Sequence, residues 1–350
     1  MLLFLSRVAA AAGDTDSLIR EAGLKEGSVA VRDMPGWSTP RKILVSERWL
    51  VDNATDVNDG NEIIGFRSHE EAMQLAADAD AIIGICDPEL IAAAEKLIWV
   101  QSYSAGVDRC VSADKIRDGR VVLTNMQKMS SPTIGEHAIA MTLSLARGLT
   151  RYGKAMQQGD WNREFNMVSV EGRTMLVVGL GGIGREVARR AAALGMRVTA
   201  TRNSSRDGPD YVDYVGLSDE LLDLAAEADV IVNALPLTPA TEGLFDHDFF
   251  AAVKPGVFFI NVARGRSVVT RALVAALDDG RVAGAGLDVT DPEPLPPDHR
   301  LWQLDNVIIT PHVAGTGRDG DRHMALLREN VRRFIAGEAL LNVVDPQRGY

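Results

Sequence analysis

A glycine-rich turn between a strand pattern and a helix pattern constrains the fold of this chain more than any other feature. Gly179, Gly181 and Gly184 follow the apolar run 174–178 with G-x-G-x-x-G spacing and precede the helical pattern 185–194. Such glycines permit a tight turn, the approach of a pyrophosphate to the backbone, and close packing of helix and strand. Free N–H groups at the helix start would hold the phosphates. The pattern predicts a dinucleotide-binding turn, with a ligand-free glycine turn as the alternative.

Short apolar runs alternate with helical patterns along most of the chain, in two series. The first series lies between residues 42 and 125, and the second begins at residue 174. This alternation predicts parallel sheets covered by helices. A chain of 350 residues is long enough for two domains. We therefore predict an α/β fold with two doubly wound parallel-sheet domains.

Composition and charge narrow the possible partners. The formal net charge of −11 disfavours nucleic acid, and no apolar run approaches the roughly 20 residues that span a bilayer. Cys86 and Cys110 form neither a ligand cluster nor a dense disulfide framework, and no His/Cys/Asp spacing indicates a metal. We expect a cytoplasmic protein with no nucleic-acid, membrane or metal partner. An export signal at the apolar start, which Arg7 interrupts, is the alternative.

The strand after the glycine turn ends in a basic and polar stretch. Arg202 stands where dinucleotide-binding domains often carry an acidic residue for the ribose 2′-OH, and an arginine there accommodates a 2′-phosphate. Guanidinium–phosphate hydrogen bonds are charge-assisted. The neighbours that could add donors or charge are Asn203, Ser204, Ser205 and Arg206. The stretch favours NADP, and a solvated basic loop that tolerates NAD is the alternative.

Three polar side chains follow later strand patterns: Arg264, Glu293 and His312. Ligands of open α/β sheets bind outside the carboxyl ends of the strands, so we expect these side chains at one rim. The guanidinium could bind an anionic substrate and polarise its carbonyl, while the imidazolium could protonate the developing alkoxide. A neighbouring carboxylate would favour the charged imidazole. The set predicts reduction of a carbonyl next to a carboxylate. Each residue also has an alternative interpretation on its own: Arg264 in a surface turn, Glu293 in an acidic loop, and His312 as a core histidine.

These stretches resemble the D-isomer-specific 2-hydroxyacid dehydrogenases, the family that includes glyoxylate/hydroxypyruvate reductases and phosphoglycerate dehydrogenases. The resemblance covers most of the chain from about Lys42 onward, in the family's order, and leaves the first 40 residues outside. The matching stretches are 100–108, 177–190, 234–245, 260–265, 283–296 and 306–315. It implies that Arg264, Glu293 and His312 are the catalytic residues.

The resemblance also implies binding residues. Ser104, Ala105 and Gly106 match the loop whose backbone N–H groups hold the substrate carboxylate, to which Arg264 also binds. The further cofactor contacts that it implies are Gly182, Ile183, Pro236, Val262 and Asp288. Arg202 looks like the residue of NADP-using members.

The domain order of the family is a Rossmann cofactor domain inserted in a flavodoxin-like substrate domain. On that basis we place an N-terminal extension at 1–40, the substrate domain at 41–147 and 316–350, and the dinucleotide-binding domain at 148–315. Members are commonly homodimers joined through the long helix near 134–156, so we expect a homodimer.

The resulting expectation is an oxidoreductase that transfers a hydride between NADP(H) and a small 2-oxoacid/D-2-hydroxyacid pair, similar to glyoxylate or hydroxypyruvate reductases. Two alternatives stay open. A phosphite-type dehydrogenase keeps the same three residues, and a corepressor-like protein that senses the dinucleotide shares the fold. Formate-oxidising enzymes of this type carry glutamine where Glu293 stands, which weakens that option.

Overall fold

A computed structural model of the chain describes residues 17, 19–20, 22–39, 41–46, 60–316 and 321–347. The chain forms two compact units, Met1–Met129 with Asp319–Tyr350, and Ser130–Arg318. Each unit has its own parallel sheet, which confirms the predicted α/β class. The start of the chain, to which the export-signal alternative refers, lies outside the described residues.

The sheet of the first unit has five parallel strands in the order β3-β2-β4-β5-β6. This order is that of flavodoxin-like sheets. A separate antiparallel pair joins β1 to β14. The strands are β1 (Glu26–Ala30), β2 (Lys42–Val45), β3 (Glu62–Gly65), β4 (Ala81–Ile83), β5 (Trp99–Gln101), β6 (Val122–Thr124) and β14 (Ala339–Leu341).

Helices cover both faces of this sheet. They are α1 (His69–Leu75), α2 (Pro88–Ala93), α3 (Asp114–Arg117) and α10 (Asp321–Ala336). Because successive strand residues point to opposite faces, Ile43 packs with α10 residues such as Phe334, whereas Leu44 packs with α1 and α2. The ring centroids of Trp99 and Phe334 are 5.0 Å apart. The apolar side chains of α10, among them Leu327, Val331 and Phe334, therefore belong to the core of the first unit.

The second unit has seven parallel strands in the order β13-β12-β11-β10-β7-β8-β9. The six strands that come first along the chain, β7 to β12, are arranged in the order of the dinucleotide-binding fold. The strands are β7 (Thr174–Val178), β8 (Arg197–Thr201), β9 (Tyr214–Gly216), β10 (Val230–Asn233), β11 (Val257–Asn261), β12 (Val282–Leu287) and β13 (Val307–Ile309). Its helices are α4 (Ser131–Ala146), α5 (Leu149–Gln157), α6 (Gly182–Ala193), α7 (Leu221–Glu227), α8 (His247–Ala252) and α9 (Thr270–Asp278).

The sheet of the second unit is buried on both faces. Met175 and Val177 pack on the side of α4 and α6, whereas Leu176 and Val178 pack on the side of α7, α8 and α9. All four side chains are at most 1 % exposed. This explains why the strands are continuous apolar runs rather than alternating patterns.

The division into units differs from the predicted one at two places. Helix α4 belongs to the second unit, since a Cβ on Gly135 would lie 2.9 Å from Cβ of Glu186 on α6. The predicted boundary at residue 147 rests on the domain order of the family, and apolar spacing alone gives no direction for the packing of this helix. At the other place, β1 pairs with β14, so residues 26–30 are part of the first unit and not an extension.

Cys86 and Cys110 lie side by side in the first unit, with their Cα atoms 4.7 Å apart, a separation that permits a disulfide bond. Cys86 follows β4, and Cys110 begins a short 3-10 helix, Cys110–Ser112. Within the described ranges, no helix has the length and apolar character needed to cross a membrane.

Candidate active site

The glycine turn has the geometry that its spacing predicts. Gly179 has a φ of 98°, and a Cβ on Gly184 would lie 2.1 Å from the Gly179 carbonyl oxygen. A Cβ on Gly181 would meet no atom within 4 Å. Helix α6 begins at Gly182, and no side chain caps its first N–H groups. The turn thus offers a ligand-accessible backbone and an uncapped helix start, which fit the pyrophosphate of a dinucleotide.

The basic stretch after β8 contains two arginines in different surroundings. Arg202 donates to the Asp207 carbonyl oxygen at 3.1 Å and has no carboxylate partner in the described part of the chain. Arg206 forms an ion pair with Glu220 at 2.7 Å and donates to Tyr214 Oη at 2.9 Å. Its positive charge is therefore already compensated. Asn203 and Ser204 are exposed beside Arg202, so Arg202 is the better candidate for a phosphate contact.

His312 and Glu293 are hydrogen-bonded to each other. The distance from His312 Nδ1 to Glu293 Oε1 is 2.6 Å. An ionised carboxylate only accepts hydrogen bonds, so with Glu293 ionised the donor of this bond is His312 Nδ1. Both side chains are about half exposed, at 48 % and 43 %. The structure thus brings together two of the three predicted catalytic residues and leaves the imidazole Nε2 available for chemistry.

Asp288 holds the turn that carries His312. Its buried carboxylate accepts hydrogen bonds from Thr310 Oγ1 at 2.6 Å and from the N–H groups of Val313 and Ala314, each at 2.9 Å. The His312 N–H donates to the Asp288 carbonyl oxygen at 2.8 Å, and His312 has a φ of 56°. Asp288 therefore positions the turn under His312, and the cofactor contact that the resemblance implies for it stays a prediction.

The backbone of Arg264 is held by three buried polar side chains. Asn261 Nδ2 and Ser267 Oγ both donate to the Arg264 carbonyl oxygen, at 3.1 and 2.6 Å. Asn233 Nδ2 in turn donates to Asn261 Oδ1 and to Ser267 Oγ, at 3.0 and 2.7 Å. The sequence analysis missed Asn233, Asn261 and Ser267. The available signal was an asparagine as the last residue of two apolar strands.

Gly265 brings the Arg264 turn against the loop that leads to Glu293. A Cβ on Gly265 would lie 1.8 Å from the Thr290 carbonyl oxygen and 2.8 Å from the Asp291 nitrogen. Only glycine permits this approach. The contact links the strand end that carries Arg264 to the one that leads to Glu293, at the carboxyl edge of adjacent strands β11 and β12.

The other predicted cofactor contacts are built into the turn and its surroundings. Ile183, the second residue of α6, is partly buried and packs against the core of the second unit, and Val262 is 5 % exposed. The Pro236 carbonyl oxygen accepts a hydrogen bond from Thr241 Oγ1 at 2.6 Å, which fixes the loop after β10. Within the described residues, no group of three or more His, Cys, Asp or Glu side chains could hold a metal ion.

The predicted substrate loop follows β5 in the first unit. Ser104 N–H donates to Ser102 Oγ at 3.0 Å, and Gly106 N–H donates to Ser104 Oγ at 3.1 Å. Ser104 is exposed, whereas Ala105 and Gly106 are half-buried. The loop is therefore a short turn that presents backbone groups at the carboxyl end of a parallel strand.

The chain is similar to known proteins of one family. The family model described as "D-isomer specific 2-hydroxyacid dehydrogenase, NAD binding domain" matches residues 139–314. A glyoxylate reductase from Pyrococcus furiosus is 32 % identical over 294 residues, which are 79 % of this chain and 86 % of that protein. A D-3-phosphoglycerate dehydrogenase from Mycobacterium bovis is 34 % identical over 87 % of this chain, which spans 58 % of that longer protein.

Two solved structures show the same architecture. A D-isomer-specific 2-hydroxyacid dehydrogenase from Xanthobacter autotrophicus, in complex with NADPH and MES, is 29 % identical with a TM-score of 0.77 over 89 % of this chain and 99 % of that one. An NADPH-dependent glyoxylate/hydroxypyruvate reductase from Sinorhizobium meliloti, in complex with NADP and sulfate, is 28 % identical with a TM-score of 0.78 over 89 % and 100 %. The chain belongs to the D-isomer-specific 2-hydroxyacid dehydrogenases, which are NAD(P)-dependent oxidoreductases.

Proposed function

We propose that the protein reduces small 2-oxoacids, such as glyoxylate or hydroxypyruvate, with NADPH. The observation that carries the proposal is the 2.6 Å hydrogen bond between His312 and Glu293, in the unit that also holds the glycine turn. Glyoxylate reductase activity is named for the relatives in Pyrococcus furiosus and Sinorhizobium meliloti, which supports this substrate class.

In this mechanism His312 is the acid. Glu293 accepts the hydrogen bond from Nδ1–H. In the protonated imidazole Nε2 also carries a proton, which it presents to the oxygen of the substrate carbonyl. A bound nicotinamide dinucleotide supplies the hydride for the carbonyl carbon. Transfer of the Nε2 proton to the oxygen completes the 2-hydroxyacid and leaves a neutral imidazole, which regains a proton from solvent. Arg264 polarises the carbonyl, and the peptide N–H groups of the loop Ser104, Ala105 and Gly106 bind the carboxylate.

The residues that would hold the cofactor lie in the second unit. Its pyrophosphate would bind the backbone of Gly181, Gly182 and Ile183, between the closely packed Gly179 and Gly184. Pro236 and Val262 would line the adenosine and nicotinamide halves. We assign the NADP preference to Arg202, with donors from Asn203 and Ser204. Arg206 contributes less, because Glu220 already neutralises it.

We further propose a homodimer that joins through α5 and the segment after it. Four apolar side chains there are exposed to solvent in the single chain. They are Leu149, Met156, Trp161 and Met167, at 57 %, 75 %, 85 % and 47 % exposure. Exposed apolar patches of this kind mark interaction surfaces, and a second copy of the chain is the partner that we assign.

A cytoplasmic location is the remaining part of the proposal. NADPH-dependent reduction of small acids suits that compartment, whereas a Cys86–Cys110 disulfide, which the adjacency of the two thiols permits, would be typical of oxidising ones. Counting free thiols in protein taken from cells under acid quench tests the location. Two free thiols support it, and a fully oxidised pair contradicts it.

The function is tested by following NADPH and NADH consumption with a panel of 2-oxoacids. We expect turnover with at least one acid, and a higher kcat/KM with NADPH. Turnover of phosphite with NADP in place of the acids would favour a phosphite-type dehydrogenase. Tight dinucleotide binding without turnover of any compound would favour a dinucleotide-sensing binding protein.

A further inference from the structure

We propose that Asn125 is a positioning residue, which aims two peptide N–H groups of the loop 104–106 at the substrate carboxylate. This inference deepens the proposed function and rests on it. Asn125 follows the last residue of β6 and is 1 % exposed, so it does not itself face solvent.

Two adjacent residues after β6 hold two adjacent carbonyls of the loop. Asn125 Nδ2 donates to the Ala105 carbonyl oxygen at 2.8 Å. The Met126 N–H donates to the Ser104 carbonyl oxygen at 3.1 Å. Both carbonyls are therefore turned towards the end of β6.

The orientation of these two carbonyls determines the direction of the neighbouring N–H groups. In a trans peptide the C=O and the N–H point to opposite sides of the chain. The Ser104 carbonyl shares its peptide with the Ala105 N–H, and the Ala105 carbonyl shares its peptide with the Gly106 N–H. Holding both carbonyls inward consequently directs both N–H groups outward. The Gly106 N–H donates to Ser104 Oγ at 3.1 Å, so a substrate carboxylate would take the place of this hydroxyl.

The orientation of the Asn125 amide is itself determined by its neighbours. Its Oδ1 accepts the Gln127 N–H at 3.2 Å, so Nδ2 is the atom that faces Ala105. Asn342 secures the backbone here: Asn125 N–H donates to the Asn342 carbonyl oxygen at 3.2 Å, and Asn342 Nδ2 donates to the Gln127 carbonyl oxygen at 3.0 Å. An aspartate at 125 would keep the bond to Gln127 but would turn an acceptor towards the Ala105 carbonyl.

The test is Asn125→Asp, measured with glyoxylate and NADPH. Because the change releases the loop, a loop N–H would lose its hydrogen bond to the substrate carboxylate. We therefore expect KM for glyoxylate to rise by about tenfold, the size of effect typical for a lost hydrogen bond to a charged group. We expect kcat to change by less than about threefold and the Kd of NADPH to stay within about twofold, since neither depends on this bond.

Asn330→Asp is the matched control. Asn330 is also buried in the first unit, and its Nδ2 donates to Gln101 Oε1 at 2.9 Å and to the Leu341 carbonyl oxygen at 3.1 Å. We expect this variant to lower the melting temperature with little change in KM. Should Asn125→Asp fail to fold, Asn125→Ala removes the same donor without adding a charge.

The results distinguish a failure of the positioning role of Asn125 from a failure of the proposed reductase function. If the wild-type chain reduces glyoxylate and the Asn125 variants keep its KM, the positioning role is wrong while the function stands. An equal rise of KM in Asn330→Asp would trace the effect to lost stability and would also overturn the role. A wild-type chain that reduces no 2-oxoacid overturns the proposed function, and the positioning role with it.

Discussion

At the scale of single residues, Gly265 lets two loops of the second unit meet. Gly265→Ala would place a Cβ 1.8 Å from the Thr290 carbonyl oxygen, so the loop that leads to Glu293 must move. We expect kcat to fall by roughly 10- to 100-fold, because misplacement by about 1 Å can cost 100-fold in rate. The Kd of NADPH, measured by fluorescence titration, should change little.

A glycine elsewhere in the same unit provides the control. Gly153 lies in α5, and an added Cβ would meet no atom within 4 Å. Gly153→Ala should therefore be neutral or slightly stabilising, by up to about 1 kcal/mol. Wild-type kcat in Gly265→Ala would show that the contact with Thr290 does not position Glu293.

Arg202 is the residue to which we assign the proposed preference for NADPH over NADH. Arg202→Asp removes a charge-assisted donor for the 2′-phosphate and supplies an acceptor for a ribose 2′-OH. We expect the ratio of kcat/KM for NADPH over NADH to fall by at least about tenfold. Arg206→Ala, which removes an arginine already paired with Glu220, should move this ratio much less. Equal effects of the two substitutions would contradict the assignment to Arg202.

The positions of Arg264, Glu293 and His312 after strand ends could be predicted from the sequence, because each residue follows an apolar strand pattern. Strand ends on one side of a parallel sheet meet at one edge, whatever the details of packing. The supporting residues Asn233, Asn261 and Ser267 could not be predicted in the same way. Their role depends on which strands lie side by side, and β7 and β11 flank β10 only through the crossover topology.

At the scale of elements, α10 is tied to β1 and to its own C-terminal turn by a cluster of ion pairs. Glu329 accepts from Arg332 Nη2 at 2.9 Å and Arg333 Nε at 2.7 Å, and Arg333 also pairs with Glu26 at 2.8 Å. Burial raises the pKa of Glu329, but its bonds to both arginines lower it by more, so the pKa lies below its ordinary value.

This lowered pKa gives a pH-dependent contribution to stability. The contribution is fully present above the unfolded pKa of about 4.3 and is lost as pH falls through the lower folded value. Glu329→Gln should therefore reduce the free energy of unfolding by about 1–3 kcal/mol near neutral pH. Chemical denaturation below pH 4.3, roughly the ordinary value, should show a smaller difference. A difference independent of pH would mean that the carboxylate charge contributes nothing.

The element boundaries show where sequence patterns stop being informative. The apolar stripe of α10 predicts a buried face, and its residues Leu327, Val331 and Phe334 are at most 2 % exposed. Helix α4 carries apolar side chains as well, yet its partner is decided by Gly135, whose missing Cβ lets α6 approach. The pairing of β1 with β14 joins segments about 300 residues apart in the chain. Local periodicity carries no information about such a partner.

At the scale of the whole molecule, the exposed apolar patch on and after α5 is assigned to a homodimer. Trp161 is 85 % exposed in the single chain, and Trp161→Arg would place a charge in the proposed interface. We expect the wild-type chain to have twice the chain mass of 37.8 kDa in light scattering after size exclusion. Trp161→Arg should shift it towards the monomer, because buried unpaired charges are costly.

Leu222→Arg is the control for this change. Leu222 is 47 % exposed on α7 of the same unit and lies outside the patch on and after α5. This variant should keep the mass of the wild-type chain. A monomeric wild-type chain, or a dimer that Trp161→Arg leaves intact, would rule out this interface.

The role of His312 as the acid is tested most directly by measuring both glyoxylate reduction and NADPH binding in His312→Ala. If His312 is the acid, kcat should fall by at least about 100-fold, the usual size of a general acid's contribution. The Kd of NADPH should stay within about twofold, since the glycine turn is untouched. Turnover that remains near the wild-type rate would contradict the role of His312 and the mechanism built on its bond to Glu293.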